Sequence, residues 1–401
     1  MSVKERICIS GLGYIGLPTA ALLANCGYIV HGVDVVSSVV DTINRGEIHI
    51  VEPDLDAFVH AAVNSGHLKA ALGPAEANVF IIAVPTPFHV DLSPDITYVL
   101  SASRSIAPFL KPGNLVILES TSPVGTTEKV KAEIEKAGVD TSQLYFAYCP
   151  ERVLPGHVMK ELIENDRIVG GLDPISTEKV AAFYRTFVKG AVLETNARTA
   201  EMCKLTENAS RDVSIAFANE LSMICDDLGI NVWELIELAN KHPRVNILRP
   251  GTGVGGHCIA VDPWFIVAQS PEKAKIIRQA REVNNFKTKW VVEKIINTCL
   301  RFRIDHKKKP KVACLGLAFK PDIDDLRESP AVEVVEKLLA EKIDCLIVEP
   351  NVESHPHFTL TSIDSALADA DILVLLVGHK TFKKRIFPEG KPVLDFVGLP
   401  Y

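Results

Sequence analysis

Residues 6–34 read RICISGLGYIGLPTAALLANCGYIVHGVD, and this stretch decides the fold. A short apolar run, RICIS, meets three glycines, Gly11, Gly13 and Gly16, before an apolar helical segment, and a second β-branched run closes on Asp34. Gly-x-Gly-x-x-Gly alone is a weak signal, because such a turn also serves plain packing. Here a strand precedes it, a helix follows it, and an acid ends the next strand. That order lets backbone approach a pyrophosphate at a helix N-terminus. The acid then accepts hydrogen bonds from ribose hydroxyls and repels a 2′-phosphate, so NAD is the expected cofactor. Gly11, Gly13, Tyr14, Ile15, Gly16 and Asp34 are its expected contacts.

Working outward, the runs VFIIAVP (79–85), LVILEST (115–121) and LYFAYCP (144–150) alternate with helical stretches. This is the pattern of a parallel sheet wrapped by helices. Pro85, Thr86 and Thr121 follow strands, where loops line the ligand crevice. Turn punctuation accounts for them equally well one by one; their repeated placement at strand ends adds them to the cofactor set.

The texture changes near Asn196, after which residues 199–228 contain neither Gly nor Pro. Leu205, Ala209, Val213, Phe217, Leu221, Ile224 and Leu228 recur at steps of three or four and predict one long helix with an apolar stripe. Such a stripe serves either as a spine between domains or as a dimer seam. A basic segment, RFRIDHKKKP (301–310), leads to a second alternating region: KVACLGLAFK, DCLIVEP, DILVLLVG and PVLDF, with AVEVVEKLLAEK as a helix. The predicted class is therefore α/β, with two Rossmann-like α/β domains joined by a long central helix and helical connector. The expected division is 1–195, 196–300 and 301–401.

The 401 residues carry a net charge of −7, which argues against nucleic acid as the main partner. No apolar run reaches membrane-span length, and MSVKERICISG has the character of a first strand rather than a signal peptide. Nine cysteines without regular spacing, no CxxC and no HExxH predict a reducing, cytoplasmic setting and no metal site.

The most unusual segment is PGTGVGGHCIAVDP, 250–263. Its glycine density suits backbone that passes close to a ligand. Cys258 ends that turn like a nucleophile, with Asp262 four residues on, although a lone cysteine is more often inert. Lys204 and Asn208 stand one helical turn apart and would serve as paired donors to an oxyanion or a water, while an ordinary solvated face fits the spacing as well. Glu151, just after a strand, is a candidate base, though an isolated glutamate is usually a surface residue.

Together these residues resemble the UDP-glucose/GDP-mannose dehydrogenase family. The resemblance runs nearly end to end, through GLGYIGLPTA (11–20), ILESTSPVGT (117–126), AYCPERVLPG (147–156), RTAEMCKLTEN (198–208), HPRVNILRPGTGVGGHCIAVDPWFIV (242–267) and GLAFKPDIDDLRESPA (316–331). It implies NAD-dependent, four-electron oxidation of the C6 primary alcohol of a UDP-sugar to the uronate, with two NADH per turnover. Cys258 would attack the intermediate aldehyde, and the thiohemiacetal would become a thioester and be hydrolysed. Lys204 would stabilise oxyanions, Asn208 and Asp262 would handle water, and Glu151 and Thr121 would assist proton transfers. The implied substrate site comprises Glu151, Arg152, Val153, Lys204, Asn208, Arg211, Arg244, Asn246, Gly255 and Lys320, with Arg244 reaching across a homodimer interface. Arg327 joins the cofactor set.

In INRGEIHIVEPDL (43–55), HPRVNI and GGHCIAVDPWF the resemblance implies UDP-N-acetyl-D-mannosamine as the sugar nucleotide, with UDP-GlcNAc or UDP-glucose as alternatives. Two other readings are a single-step β-hydroxyacid dehydrogenase, which needs no cysteine, and an NAD-binding protein without turnover. One departure from the family pattern is the C-terminal VLDFVGLPY, which lacks an arginine after its aspartate.

Overall fold

The computed structural model describes residues 5–154 and 156–399. The chain forms two compact units, Met1–Thr206 and Glu207–Tyr401.

Among the described residues, the first unit holds an eight-stranded sheet: β1 (Arg6–Ser10), β2 (Ile29–Val33), β3 (Leu68–Ala71), β4 (Val79–Ile82), β5 (Leu115–Leu118), β6 (Tyr145–Tyr148), β7 (Arg167–Gly171) and β8 (Val192–Asn196). Their order is β3-β2-β1-β4-β5-β6-β7-β8, parallel throughout except that β6 and β7 run antiparallel. Ile7, Cys8, Ile9 and the four residues of β4 are buried on both faces, which is why these strands read as continuous apolar runs. Chain order reverses between β1 and β4, and the carboxyl ends on either side of that switch point open a ligand crevice.

Strands β3, β7 and β8 were not foreseen. β7 is RIVGG, only two apolar residues between a buried arginine and two glycines, and β8 is mostly exposed, so neither shows the apolar alternation of a strand.

Among the described residues of the second unit, a four-stranded parallel sheet in the order β10-β9-β11-β12 is built from β9 (Lys311–Leu315), β10 (Asp344–Val348), β11 (Ile372–Leu375) and β12 (Val393–Asp395). The connector helix, Ala197–Leu228, starts in the first unit and ends in the second. A second 32-residue helix, Lys275–His306, runs through the segment RFRIDH that the sequence suggested as a break, so the basic linker shrinks to 307–310.

The connector's apolar stripe is not its buried face along the whole length. Leu205 and Ala209 are buried, but Phe217, Ile224 and Leu228 are 57%, 46% and 67% exposed. Further along, the buried positions are Asp212, Ala216, Ala218, Asn219, Ser222 and Cys225. They meet polar residues of Lys275–His306: Arg281 Nη1 donates to Asp212 Oδ1 at 2.7 Å, Asn219 Nδ2 to Asn284 Oδ1 at 2.9 Å, and Lys287 Nζ to Ser222 Oγ at 2.8 Å. This seam is a buried polar network in which Asp212 Oδ2 and Arg281 Nε have no partner among the described residues, and its directional bonds specify register more sharply than apolar contacts do.

Candidate functional site

In the first unit the glycine turn leaves β1 as expected. Gly11 adopts φ +93°, and a Cβ on Gly16 would fall 1.8 Å from the Gly11 carbonyl oxygen, so side chains are excluded at both positions. A Cβ on Gly13 would meet nothing within 4 Å, which leaves open space beside the N-terminus of the helix Gly16–Asn25. Tyr14 is exposed and Ile15 half-buried at the same turn. Asp34 follows β2 and accepts hydrogen bonds from the Leu12 and Val36 amides at 3.1 and 3.0 Å, which holds its carboxylate against the turn.

After β4, Pro85 is exposed, and Thr86 Oγ1 is buried with no hydrogen-bond partner among the described residues. An orphaned hydroxyl, an open glycine turn at a helix N-terminus and a carboxylate at the next strand end fit a dinucleotide. Ser120 Oγ donates to the Val84 carbonyl at 2.7 Å and ties the loop carrying Thr121 to the loop carrying Thr86.

Glu151 follows β6 and is no surface residue: it is 5% exposed, with Arg167 Nη1 at 2.5 Å from Oε2 and the Arg152 amide at 2.7 Å from Oε1. The chain around Arg152 and Val153 is clamped from a distance. Glu52, in the IVEPDL segment, accepts from the Gly156 and Val158 amides at 2.9 and 2.8 Å and caps the helix Val158–Glu164. Sequence reasoning quoted Glu52 inside a block but gave it no role, since its partners lie more than a hundred residues away. Lys204, partly buried, stands on the connector one turn after Glu201. The Glu201 carboxylate accepts from the Gly125 and Thr127 amides at 2.6 and 2.8 Å, anchoring the start of that helix within the first unit.

In the second unit, Cys258 is exposed, unlike each of the other eight cysteines. Its carbonyl accepts the Val261 and Asp262 amides at 3.1 and 2.9 Å, so the residue sits at the entry to the helix Asp262–Gln269. Asp262 is 3% exposed, and Asn208 Nδ2 donates to its Oδ2 at 2.5 Å. The structure thus brings together Asn208 and Asp262, residues that the sequence could pair only through the resemblance.

The glycines before Cys258 also have a packing role. A Cβ on Gly255 would lie 2.3 Å from the Glu328 carbonyl oxygen, and one on Gly256, at φ +82°, would lie 2.9 Å from the Phe319 ring. They let the cysteine loop press against the segment 319–330. Asn219 Oδ1 accepts the Gly251 amide at 2.9 Å and fixes the loop's start.

Segment 319–330 carries Lys320, half-buried, and Arg327, exposed and forked onto Asp325 at 2.8 and 2.6 Å. Its base is set by Glu349, which follows β10 as Asp34 follows β2. Glu349 accepts from the Leu317 and Ala318 amides at 2.7 and 2.9 Å. The Asp322 amide donates to His379 Nδ1 at 2.9 Å, so the His379 proton is on Nε2, which donates to Glu349 at 3.1 Å. Burial works to raise the Glu349 carboxyl, but His379 and the backbone donors outweigh it and hold the group below the usual range.

Arg211, Arg244 and Asn246 are exposed. The residue that sequence reasoning missed here is Arg249, which donates to the Gly398 carbonyl at 2.7 Å and lies 5.2 Å from the Trp233 ring. It holds the C-terminal turn that Asp395 caps through the Val397 and Gly398 amides.

The two Rossmann-like sheets and the residues at their strand ends agree with comparisons to known proteins. Three family models match in order: the NAD binding domain of the UDP-glucose/GDP-mannose dehydrogenase family over residues 5–188, its central domain over 198–286, and its UDP binding domain over 313–398. The chain is 57% identical over 396 residues to UDP-N-acetyl-D-mannosamine dehydrogenase of Escherichia coli strain K12, with 94% of each chain covered. It is 54% identical to the NDP-N-acetyl-D-galactosaminuronic acid dehydrogenase of Ralstonia nicotianae, covering 95% of this chain and 92% of the other. A solved structure of UDP-D-ManNAc dehydrogenase from Pyrococcus horikoshii superposes with a TM-score of 0.90 at 39% identity, covering 99% of this chain and 96% of that one. The chain belongs to the UDP-glucose/GDP-mannose dehydrogenase family, NAD-dependent enzymes that oxidise nucleotide sugars.

Proposed function

We propose that the protein oxidises C6 of UDP-N-acetyl-D-mannosamine to the carboxylate through a covalent intermediate on Cys258. The observation that carries the mechanism is the pairing of an exposed Cys258 with a buried Asp262 held by Asn208, within a single loop and helix entry. NAD, when bound at the glycine turn, supplies the hydride acceptor for each of the two oxidations.

Oxidation of an aldehyde needs a tetrahedral species able to give up hydride, and a thiol adding to the aldehyde carbon makes one. The resulting thioester then needs water. The Asp262 carboxylate, oriented by Asn208, would position that water and take its proton. Lys204 supplies positive charge for the oxyanions, and Glu151 and Thr121 assist proton movement from the strand ends of the first unit. Arg152, Val153, Arg211, Arg244, Asn246, Gly255 and Lys320 complete the sugar-nucleotide site in this reading, and Arg327 contributes on the cofactor side.

The sugar assignment is supported by the 57% identity to the Escherichia coli enzyme over almost the whole chain. In this proposal the enzyme is cytoplasmic and works as a homodimer or higher oligomer. The exposed apolar side chains Phe217, Ile224 and Leu228 on one stripe of the connector helix support that. The test is a panel of UDP-N-acetyl-D-mannosamine, UDP-GlcNAc and UDP-glucose followed by NADH absorbance. The first should show the highest kcat/KM, and preference for another sugar would remove the assignment.

A further inference from the structure

One buried cluster of the first unit has no part in the mechanism above. Glu119 follows β5 and Cys149 follows β6, each two residues ahead of a site residue, Thr121 and Glu151. Arg167 opens β7, and Tyr184 ends the helix Pro174–Tyr184. All of them, with Glu151, are at most 5% exposed. Arg167 Nη1 donates to Glu151 Oε2 at 2.5 Å, and the Arg167 guanidinium lies 5.6 Å from the centroid of the Tyr184 ring. The Tyr184 hydroxyl in turn donates to Glu119 Oε1 at 2.6 Å. Glu119 Oε2 is buried with no hydrogen-bond partner among the described residues.

Two buried acids therefore lie within the influence of one guanidinium, which makes its ion pair with Glu151 and leaves Glu119 without a direct cationic partner. A second ionised carboxylate there would have no counterion of its own, so one of the two acids retains its proton. Glu151 has a donor on each oxygen, whereas Glu119 has a donor on one only, which makes Glu119 the neutral member. We propose that Glu119 is a positioning residue that stores this proton and so leaves Arg167 to the Glu151 carboxylate, fixing the loop that carries Glu151.

Burial lifts Glu119 to about 7, with Arg167 opposing and Glu151 reinforcing the rise. Burial also lifts the Cys149 thiol to about 12 and Tyr184 well above its ordinary value, so neither adds negative charge near neutrality. Once Glu119 ionises, its charge draws on Arg167 and repels Glu151, which weakens the anchor of the Glu151 loop.

The proton assignment stands on this geometry alone, and only its kinetic consequence rests on the proposed reaction. Infrared spectra of the intact protein, titrated from about pH 5 to about pH 9, should show a protonated-carboxyl C=O band that fades near neutrality and is missing from Glu119→Gln. In turnover of the UDP-sugar, Glu119→Gln should match the wild type within about two-fold near pH 6 and exceed it by about three-fold or more near pH 9, because an amide cannot compete for Arg167. A wild-type spectrum without such a band overturns the proposal whether or not the variant folds. Parallel pH profiles in an active variant overturn the positioning role. A wild type that shows the band but oxidises no UDP-sugar supports the proton assignment and removes the proposed reaction instead.

Discussion

Asn208 and Asp262 are separated by 54 positions in the chain and by 2.5 Å in space, and that contact orients the carboxylate proposed to handle water. Replacing Asp262 with Asn keeps the shape and removes the proton acceptor. In Asp262→Asn, kcat should fall by about 10²–10³-fold with little change in KM for NAD, as measured by steady-state kinetics. Cys258 was legible in the sequence because glycines crowd it, whereas the close approach of Gly255 and Gly256 to Glu328 and Phe319 was not. Lys287 was not legible at all. It lies 3.9 Å from the Trp290 ring centroid, and burial, opposed by Asp226 and helped by Lys294, pushes its ammonium down to about 7. A folded value below the unfolded one means that stability is lost as pH falls from the ordinary lysine range through about 7. Lys287→Met should flatten that slope and raise Tm near neutrality in calorimetry, and an unchanged pH dependence of Tm would contradict this.

Among elements, the connector helix was placed by its lack of Gly and Pro and by its three-and-four spacing, and its ends match Ala197–Leu228 closely. Its buried face was not readable past Ala209, because Asp212, Asn219 and Ser222 are buried through partners on a helix whose sequence lies about seventy residues later. Burial raises the Asp212 carboxyl, with Arg281 pulling against it. Removing one partner of such a pair leaves the other charge stranded. Asp212→Ala should therefore cost about 3 kcal/mol in urea unfolding, whereas Glu220→Ala, exposed on the same helix, should change little. Equal effects of the two changes would show that the polar seam does not hold the helix pair together. Strands β1, β2, β4, β5 and β6 were legible as continuous apolar runs. β7 was hidden because its first residue is Arg167, an ion whose burial depends on Glu151.

For the whole molecule, the alternation of strand and helix on both sides of a helical middle gave the two-sheet architecture, because parallel strands buried on both faces leave an unmistakable pattern. Assembly has a weaker signature, since an apolar stripe serves a spine and a seam equally. The exposure of Phe217, Ile224 and Leu228 favours the seam, so Phe217→Glu combined with Leu228→Glu should shift the sedimentation coefficient from dimer toward monomer. An unchanged coefficient would place the interface elsewhere. The central claim is that one thiol captures the aldehyde left by the first oxidation and holds it through the second. It is tested most directly by counting NADH released per UDP-sugar consumed, in the wild type and in Cys258→Ser. Two NADH with no released aldehyde in the wild type, and a stalled cycle in the variant, is the predicted result; one NADH with released aldehyde, or full turnover without the thiol, would contradict it.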